Sequence, residues 1–396
     1  MRAMLIGWLL LVSVSIAFAE QPSATKTEKL TKTADPIPAY QISLTMGDPV
    51  SGVPFSPITQ SNPGCAADGT MLVHFVEFTP KQLVPKSSFY SVSPSREAHS
   101  FQLDQVPNFY DLMEGGSYLG GSEVVFLVSG AREYKEGTRT AILPNGEKQD
   151  WKANVAEHHN YIFVYDRSGH FKQMVQLDNS FSIQSLGVFS GGSFLAYGFE
   201  SASLSPRLAL MKEDGTLIEY LQLPDDYLPP DLKKGLEAQK HSPSTAPMTL
   251  GQVQFVSFGA NIIVASTWSR GPLLEVSEAG AVRAIPLKLS KDEVIGAVLA
   301  SETALYVRTI PASESPFLNN RQPGKEIPAR KDAFYEISRE DGTITKRFEV
   351  AGKPGPSVSC AFDNDFIGFT WSDKNFALLI GSAEPASSAT SAASDH

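Results

Sequence analysis

Four times along the chain a run of apolar and β-branched residues meets a short acidic turn closed by glycine and then a second such run. The copies span Tyr161 to Leu177, Leu208 to Leu223, Leu273 to Leu289 around Glu278-Ala279-Gly280, and Ala333 to Val350 around Glu340-Asp341-Gly342. Each reads as strand, tight turn, strand, because glycine admits the left-handed backbone that such turns need and the flanking residues favour extended chain. The turn glycines Gly169, Gly215, Gly280 and Gly342 lie 46, 65 and 62 residues apart. That period is too long for one hairpin and suits a four-stranded unit with variable loops.

A second hairpin with a tighter turn precedes each of these. Examples are Cys65 to Phe75, Ser185 to Tyr197, Phe255 to Ala265, Ile295 to Val307 and Ser359 to Phe369. Phe89 to Leu103 is a weaker relative of the first kind of hairpin, without its glycine. Two hairpins make one four-stranded sheet, which cannot cover both its faces alone; stacking such sheets around an axis covers them without long free edges. Units begin near Pro63, Asn108, Phe181, Gln252, Glu293 and Pro356, and the last lacks an outer strand. Tyr40 to Met46 is the segment expected to supply it.

The turns Asp166-Arg167-Ser168-Gly169, Glu213-Asp214-Gly215-Thr216 and Glu278-Ala279-Gly280-Ala281, each between two strands, give a pattern that resembles six-bladed β-propellers of the NHL and TolB-like kind. The resemblance covers roughly Tyr40 to Ala383. It implies an all-β fold, a six-bladed β-propeller of four-stranded antiparallel blades with the N-terminal strand closing the last blade. Seven units, or a pair of sandwiches, remain compatible with the same hairpins. No functional motif of those families matches residue by residue, so the resemblance implies architecture and leaves the chemistry open. The only helical pattern is Pro229 to Gln239.

Residues 1–19 read as a signal peptide: Arg2 is the positive start, Leu5 to Phe18 are largely apolar, and Ala17-Phe18-Ala19 offers a cleavage pattern. No later apolar run approaches the length of a membrane span. Residues 20–39 and the Ala/Ser-rich stretch 384–396 read as flexible, leaving 40–383 as one domain. The product is expected to be secreted or periplasmic. A formal net charge of −10 argues against a nucleic-acid partner, and 42% hydrophobic residues suffice for a large core.

Export to an oxidising compartment makes the two cysteines one possible pair. Cys65-Ala66-Ala67-Asp68 and Cys360-Ala361-Phe362-Asp363 put the sulfurs at equivalent places in the first and last units, which are neighbours in a closed ring. A Cys65–Cys360 disulfide is expected; two buried free thiols are the alternative.

The longest insertions, Gly130 to Glu157, Pro224 to Thr249 and Pro311 to Lys331, all fall between hairpins, so a propeller gathers them on one face. Arg132, Arg207, Arg270, Arg308 and Lys374 sit at or just after the second strands of their units, and Trp268 and Trp371 stand in the related strings Thr267-Trp268-Ser269-Arg270 and Thr370-Trp371-Ser372-Asp373. Guanidinium groups bind carboxylate or phosphate bidentately and indoles stack on sugars, so these residues are expected to bind a protein, peptide or anionic glycan partner. Packed indoles and solvated arginines account for the same residues without a ligand. No cofactor is expected, with Ca²⁺ a minor alternative at Asp104, Asp178, Asp225, Asp226, Asp292 or Asp363-Asn364-Asp365, residues that turns also favour. His158-His159 would point to opposite faces of a strand and make poor joint ligands. A Gly-x-Ser-x-Gly elbow, a His-Glu-x-x-His motif and a phosphate loop are all missing. The expected function is therefore noncatalytic binding on the loop-rich face; a lactonase-, lyase- or hydrolase-type propeller enzyme is the alternative. Oligomeric state is not legible.

Overall fold

The second strands of the repeated units are apolar on both faces, and this decides how their sheets pack. In Phe194–Glu200 and Asn261–Ser266 nearly every residue is buried, whereas the fourth strands Leu217–Leu221 and Val282–Ile285 are mostly exposed. Continuous rather than alternating apolar runs are what a sheet covered on both sides requires. The computed structural model describes residues 37–53, 64–77, 86–103, 106, 109, 111–143, 146–178, 180–203, 205–222, 253–312, 333–351, 358–372 and 375–386.

These residues form an all-β body of antiparallel sheets consistent with a propeller. One four-stranded sheet runs β3 (Gly64–Cys65), β4 (Met71–Glu77), β5 (Lys86–Val92), β6 (Ala98–Phe101); the next is β7 (Asp111–Leu119), β8 (Glu123–Ile142), β9 (Lys148–Asp166), β10 (Phe171–Gln176). Then come β11 (Phe181–Val188), β12 (Phe194–Glu200), β13 (Pro206–Met211), β14 (Leu217–Leu221), and β15 (Val253–Phe258), β16 (Asn261–Ser266), β17 (Leu273–Ser277), β18 (Val282–Ile285). A nine-stranded sheet combines β19 (Glu293–Ala300), β20 (Leu305–Pro311), β21 (Ala333–Ile337), β22 (Ile344–Val350), β23 (Val358–Phe362), β24 (Asp365–Ser372) and β25 (Asn375–Pro385) with β1 (Ala39–Ile42) and β2 (Thr45–Pro49). First strands thus begin close to where the sequence places them.

The N-terminal segment differs in detail from expectation, because it forms two strands rather than one. β1 pairs parallel with β22 (Tyr40 opposite Phe348) and antiparallel with the end of β25 (Ile42 opposite Ala383), and β2 then pairs antiparallel with β25 (Met46 opposite Leu379). The break falls at Ser43, whose carbonyl oxygen occupies the space that a Cβ on Gly381 would need.

Hydrophobic clusters fill the gaps between successive sheets. One joins Val125, Ile162 and Val164 to Leu186, Phe194 and Ala196; another joins Leu195, Tyr197 and Leu208 to Ile262, Val264 and Leu274. Met71, Val73 and Phe75 of the first sheet share a cluster with Ile367, Phe376 and Leu378. The turn glycines are part of the same packing. Gly342 has φ 68°, and a Cβ there would run into the Pro286 carbonyl oxygen of the preceding unit. In the first sheet Arg96 takes the left-handed position at φ 69°, which is why that hairpin lacks the glycine; its guanidinium bonds Asp48 at 2.6 Å.

Cys65 and Cys360 are joined in a disulfide with their Cα atoms 5.5 Å apart, as the sequence predicts. The stretch Gly130 to Glu157, expected as a loop insertion, instead continues β8 and β9 as a two-stranded ribbon in register from Tyr134–Ala156 to Ile142–Lys148. Asn145-Gly146 is a hairpin signal, and Gly146 adopts φ 83° with Leu143 and Glu147 bonded across the turn. The expected insertions Pro224 to Thr249 and nearly all of Pro311 to Lys331, the helical pattern at Pro229 to Gln239, the signal peptide and most of both flexible ends lie outside the described residues. Among the described residues no helix is long and apolar enough to cross a membrane.

Candidate functional site

The first strands β3, β7, β11, β15, β19 and β23 all contribute to one cavity of about 350 Å³. A bulge recurs in these strands: the register slips at Gly115 in β7, Gln184 in β11, Gly296 in β19 and Ser359 in β23. A bulged residue has no partner opposite and is turned out of the ladder. Gln184, Gly296 and Ser359 accordingly line the cavity.

First strands are not hydrogen-bonded to one another as a ladder, so side chains stitch them. Ser185 Oγ donates to the Val253 carbonyl at 3.0 Å. Gln254 donates from Nε2 to the Val298 carbonyl and accepts at Oε1 from the Val298 amide, both at 2.9 Å. Each stitch satisfies backbone groups that would otherwise lose water without gaining a partner.

The cations and indoles predicted from sequence lie at or beside the connections between second and third strands, and the structure treats them unequally. Arg207 is engaged, with Nη2 3.7 Å from Glu200 and its guanidinium 5.9 Å from the Tyr220 ring centre. Arg132 is exposed at the root of the ribbon, 5.7 Å from the Phe109 ring. Trp371 lies in β24 opposite Phe376 in the register, but its side chain, like Lys374, is outside the described residues.

Trp268, Arg270 and Arg308 are gathered around β19. Trp268 holds a left-handed backbone at φ 66°, costly for an indole-bearing residue. It is fixed there because its amide donates to the Ile295 carbonyl at 2.7 Å while the Ile295 amide donates to the Ser269 carbonyl at 2.8 Å. This turn leaves Arg270 exposed. On β20, Arg308 passes beside Gly296, where a Cβ would sit 3.7 Å from its Nε; that nitrogen is buried with no hydrogen-bond partner among the described residues. Gly296 and Thr267 also line the cavity, whereas Trp268 and Arg308 themselves are not part of its lining.

Other titrating groups have structural roles. Burial would raise the Glu275 carboxyl, but hydrogen bonds from Arg339, Arg283 and Asn261 outweigh it and hold the group at about 2. Since Arg339 follows β21 while Glu275 lies in β17, the pair clamps two sheets. His74 is buried against Phe89, ring centres 4.2 Å apart, and burial lowers its pKa to about 4. Ser168 Oγ contacts both Asp166 Oδ1 at 2.6 Å and His170 Nδ1 at 2.8 Å, but His170 also uses Nδ1 towards Asp166 at 3.2 Å. One nitrogen serving both neighbours closes a turn and cannot relay a proton from serine to carboxylate.

Of the Ca²⁺ candidates, Asp178 accepts from the Ser180 amide at 2.9 Å, and Asp104, Asp225 and Asp226 are outside the described residues. Among the described residues no three His, Cys, Asp or Glu side chains converge as a metal site. The sequence missed Ser117, Gln184, Ser257 and Ser359; a glycine inside a strand, such as Gly296, is the signal that marks such bulges.

No protein-family description matches the chain, and no curated protein matches it. Solved structures similar to it include virginiamycin B lyase from Staphylococcus aureus, at 9% identity over 86% of this chain and 99% of that one, TM-score 0.36. A DUF4623 family protein from Bacteroides eggerthii matches at 10% identity over 81% of this chain and 70% of that one, TM-score 0.38. Dipeptidyl peptidase 4 of Porphyromonas gingivalis matches at 11% identity over 78% and 42%, TM-score 0.31. Likeness at these levels carries no activity to this chain, and the fold rests on the strand pairing itself.

Proposed function

We propose that the chain is an exported, noncatalytic β-propeller of six blades, of the NHL or TolB-like kind, that binds a protein, peptide or anionic glycan partner on the face carrying Trp268, Arg270 and Arg308, with Arg132, Arg207, Trp371 and Lys374 around them. Six blades are supported by the neighbours of the first strands, which run in cyclic order β3, β7, β11, β15, β19, β23 and back to β3. The pairing of β2 with β25 and the Cys65–Cys360 bridge support closure of the last blade by the N-terminal segment. The disulfide fits a secreted or periplasmic protein.

The observation that carries the binding site is the left-handed Trp268 beside the unpartnered Nε of Arg308. Strain and an unsatisfied buried donor persist where another requirement outweighs them. A carboxylate from a partner supplies an acceptor to the partly exposed Arg308 side chain, and Arg270 adds a second cation at the exposed rim.

Titration calorimetry of the intact chain with a hexaglutamate peptide and with oligogalacturonate tests this. Saturable binding of one of them, weakened at least about tenfold in Arg270→Ala with Arg308→Gln and reduced by salt, is the expected result. Failure of both probes to bind, or binding unchanged in the double variant, counts against the site.

A further inference from the structure

We infer that the cavity between the first strands is a second binding site, for an uncharged polyhydroxylated small molecule such as a neutral mono- or disaccharide. This site lies inside the ring and is chemically unlike the cationic rim: it depends on the arrangement of the first strands and not on the arginines.

The lining supports that chemistry. None of the described residues around the cavity carries a charge. Ser117 of β7, Gln184 of β11, Ser257 of β15 and Ser359 of β23 all line it, and their side chains make no hydrogen bond among the described residues. Stitching therefore consumes Ser185 and Gln254 but leaves a set of hydroxyls and an amide, one from each of four strands, around a common space.

Tyr197 adds an independent sign. It lines the same cavity and is only 1% exposed, yet its hydroxyl is buried with no partner among the described residues. Burial of a hydroxyl without a partner is costly, and native structures seldom leave one so. The hydroxyl is closed off from the cavity itself, so a small shift of the Tyr197 ring would bring it to an acceptor or donor on a molecule held there.

The remaining wall is apolar and aromatic, with Tyr118, Phe255, Val298 and Leu299. Sugars present hydroxyls at their edges and C–H groups on their faces, which such a wall matches. A charged ligand would lose its hydration here without gaining a counter-charge, so the lining selects against it. The volume falls at the lower end of the roughly 300–1,000 Å³ range of small-molecule sites. Two of the positions in question, Gln184 and Ser359, are bulge residues, which explains how a strand that packs on both sides still presents a polar group inwards.

Saturation-transfer NMR and calorimetry on the intact chain test the inference, with N-acetylglucosamine as the neutral probe and glucuronate as its charged counterpart. Expected is saturable binding of N-acetylglucosamine, at least about tenfold weaker in both Gln184→Leu and Ser257→Ala, with melting temperatures close to that of the parent chain, and glucuronate bound at least about tenfold more weakly than N-acetylglucosamine. Arg270→Ala leaves the neutral sugar's affinity unchanged, which separates this site from the rim. Absence of saturable binding, equal binding of glucuronate, indifference to both cavity variants, or loss of the sugar in Arg270→Ala each overturns the inference.

Discussion

Opening the Cys65–Cys360 bridge removes the one covalent link between β3 and β23, and its effect follows from the length of chain it spans. The cysteines are 295 residues apart. Releasing a loop of that size from the unfolded ensemble costs about 5 to 6 kcal/mol in the chain-entropy treatment. For a unit spanning Ile37 to His396, unfolding entropy is about 0.75 kcal/mol/K, so the melting temperature drops by about 7 to 8 °C.

Reduction followed by alkylation confounds this figure, because Cys360 is fully buried beside Met71, Ile367 and Phe376 and a bulky adduct would not fit. Scanning calorimetry with a phosphine reductant held in the buffer keeps both sulfurs in place and isolates the cross-link. Denaturant titration adds a second signature: the oxidised chain stays looped when unfolded, exposes less surface, and has the smaller m-value. A reduced protein that melts within about 2 °C of the oxidised one, with an unchanged m-value, refutes the reasoning.

Glu275→Gln removes the charge that Arg283 and Arg339 share, and urea titration should show a loss of about 3 kcal/mol near neutral pH. Because the folded carboxyl sits at about 2 and the unfolded one near 4.5, this stability is complete above pH 4.5 and disappears as pH falls towards 2 in the parent but not in the variant. His74 is depressed in the same direction, from 6.5 to about 4, so its contribution is complete above pH 6.5 and falls away towards pH 4; His74→Phe should flatten the stability profile across that window. Gly342→Ala should cost several kcal/mol because the new Cβ strikes the Pro286 carbonyl, whereas Gly259→Ala, at φ 59° with nothing within 4 Å, should cost only about 1 kcal/mol in thermal unfolding.

The periodic parts of the fold are legible in the sequence for a local reason. Asp214 Oδ1 accepts from the Thr216 amide at 2.9 Å and Asp341 Oδ1 from the Thr343 amide at 3.1 Å, so each acidic turn writes its own geometry into four residues. The cysteine pairing was legible because the two cysteines occupy equivalent places in the first and last units, and β23 lies against β3. The ribbon from Tyr134 to Ala156 was not, since among its described side chains, mostly charged and polar, none is buried to set a period of two. Nor was the division at Ser43, which depends on the missing side chain of Gly381 more than 300 residues away.

Bulges set the limit for the binding chemistry. A one-residue slip in a strand leaves composition and hydrophobicity almost unchanged, yet it decides whether Gln184 and Ser359 face a neighbouring sheet or the cavity. The arginines on the rim stand out in sequence because a long charged side chain after a strand is conspicuous. Serines and a glutamine inside apolar strands read as ordinary spacing. Sequence therefore favours the exposed cationic rim as the site, while the members of the proposed uncharged one become visible only when strands far apart in the chain are set side by side.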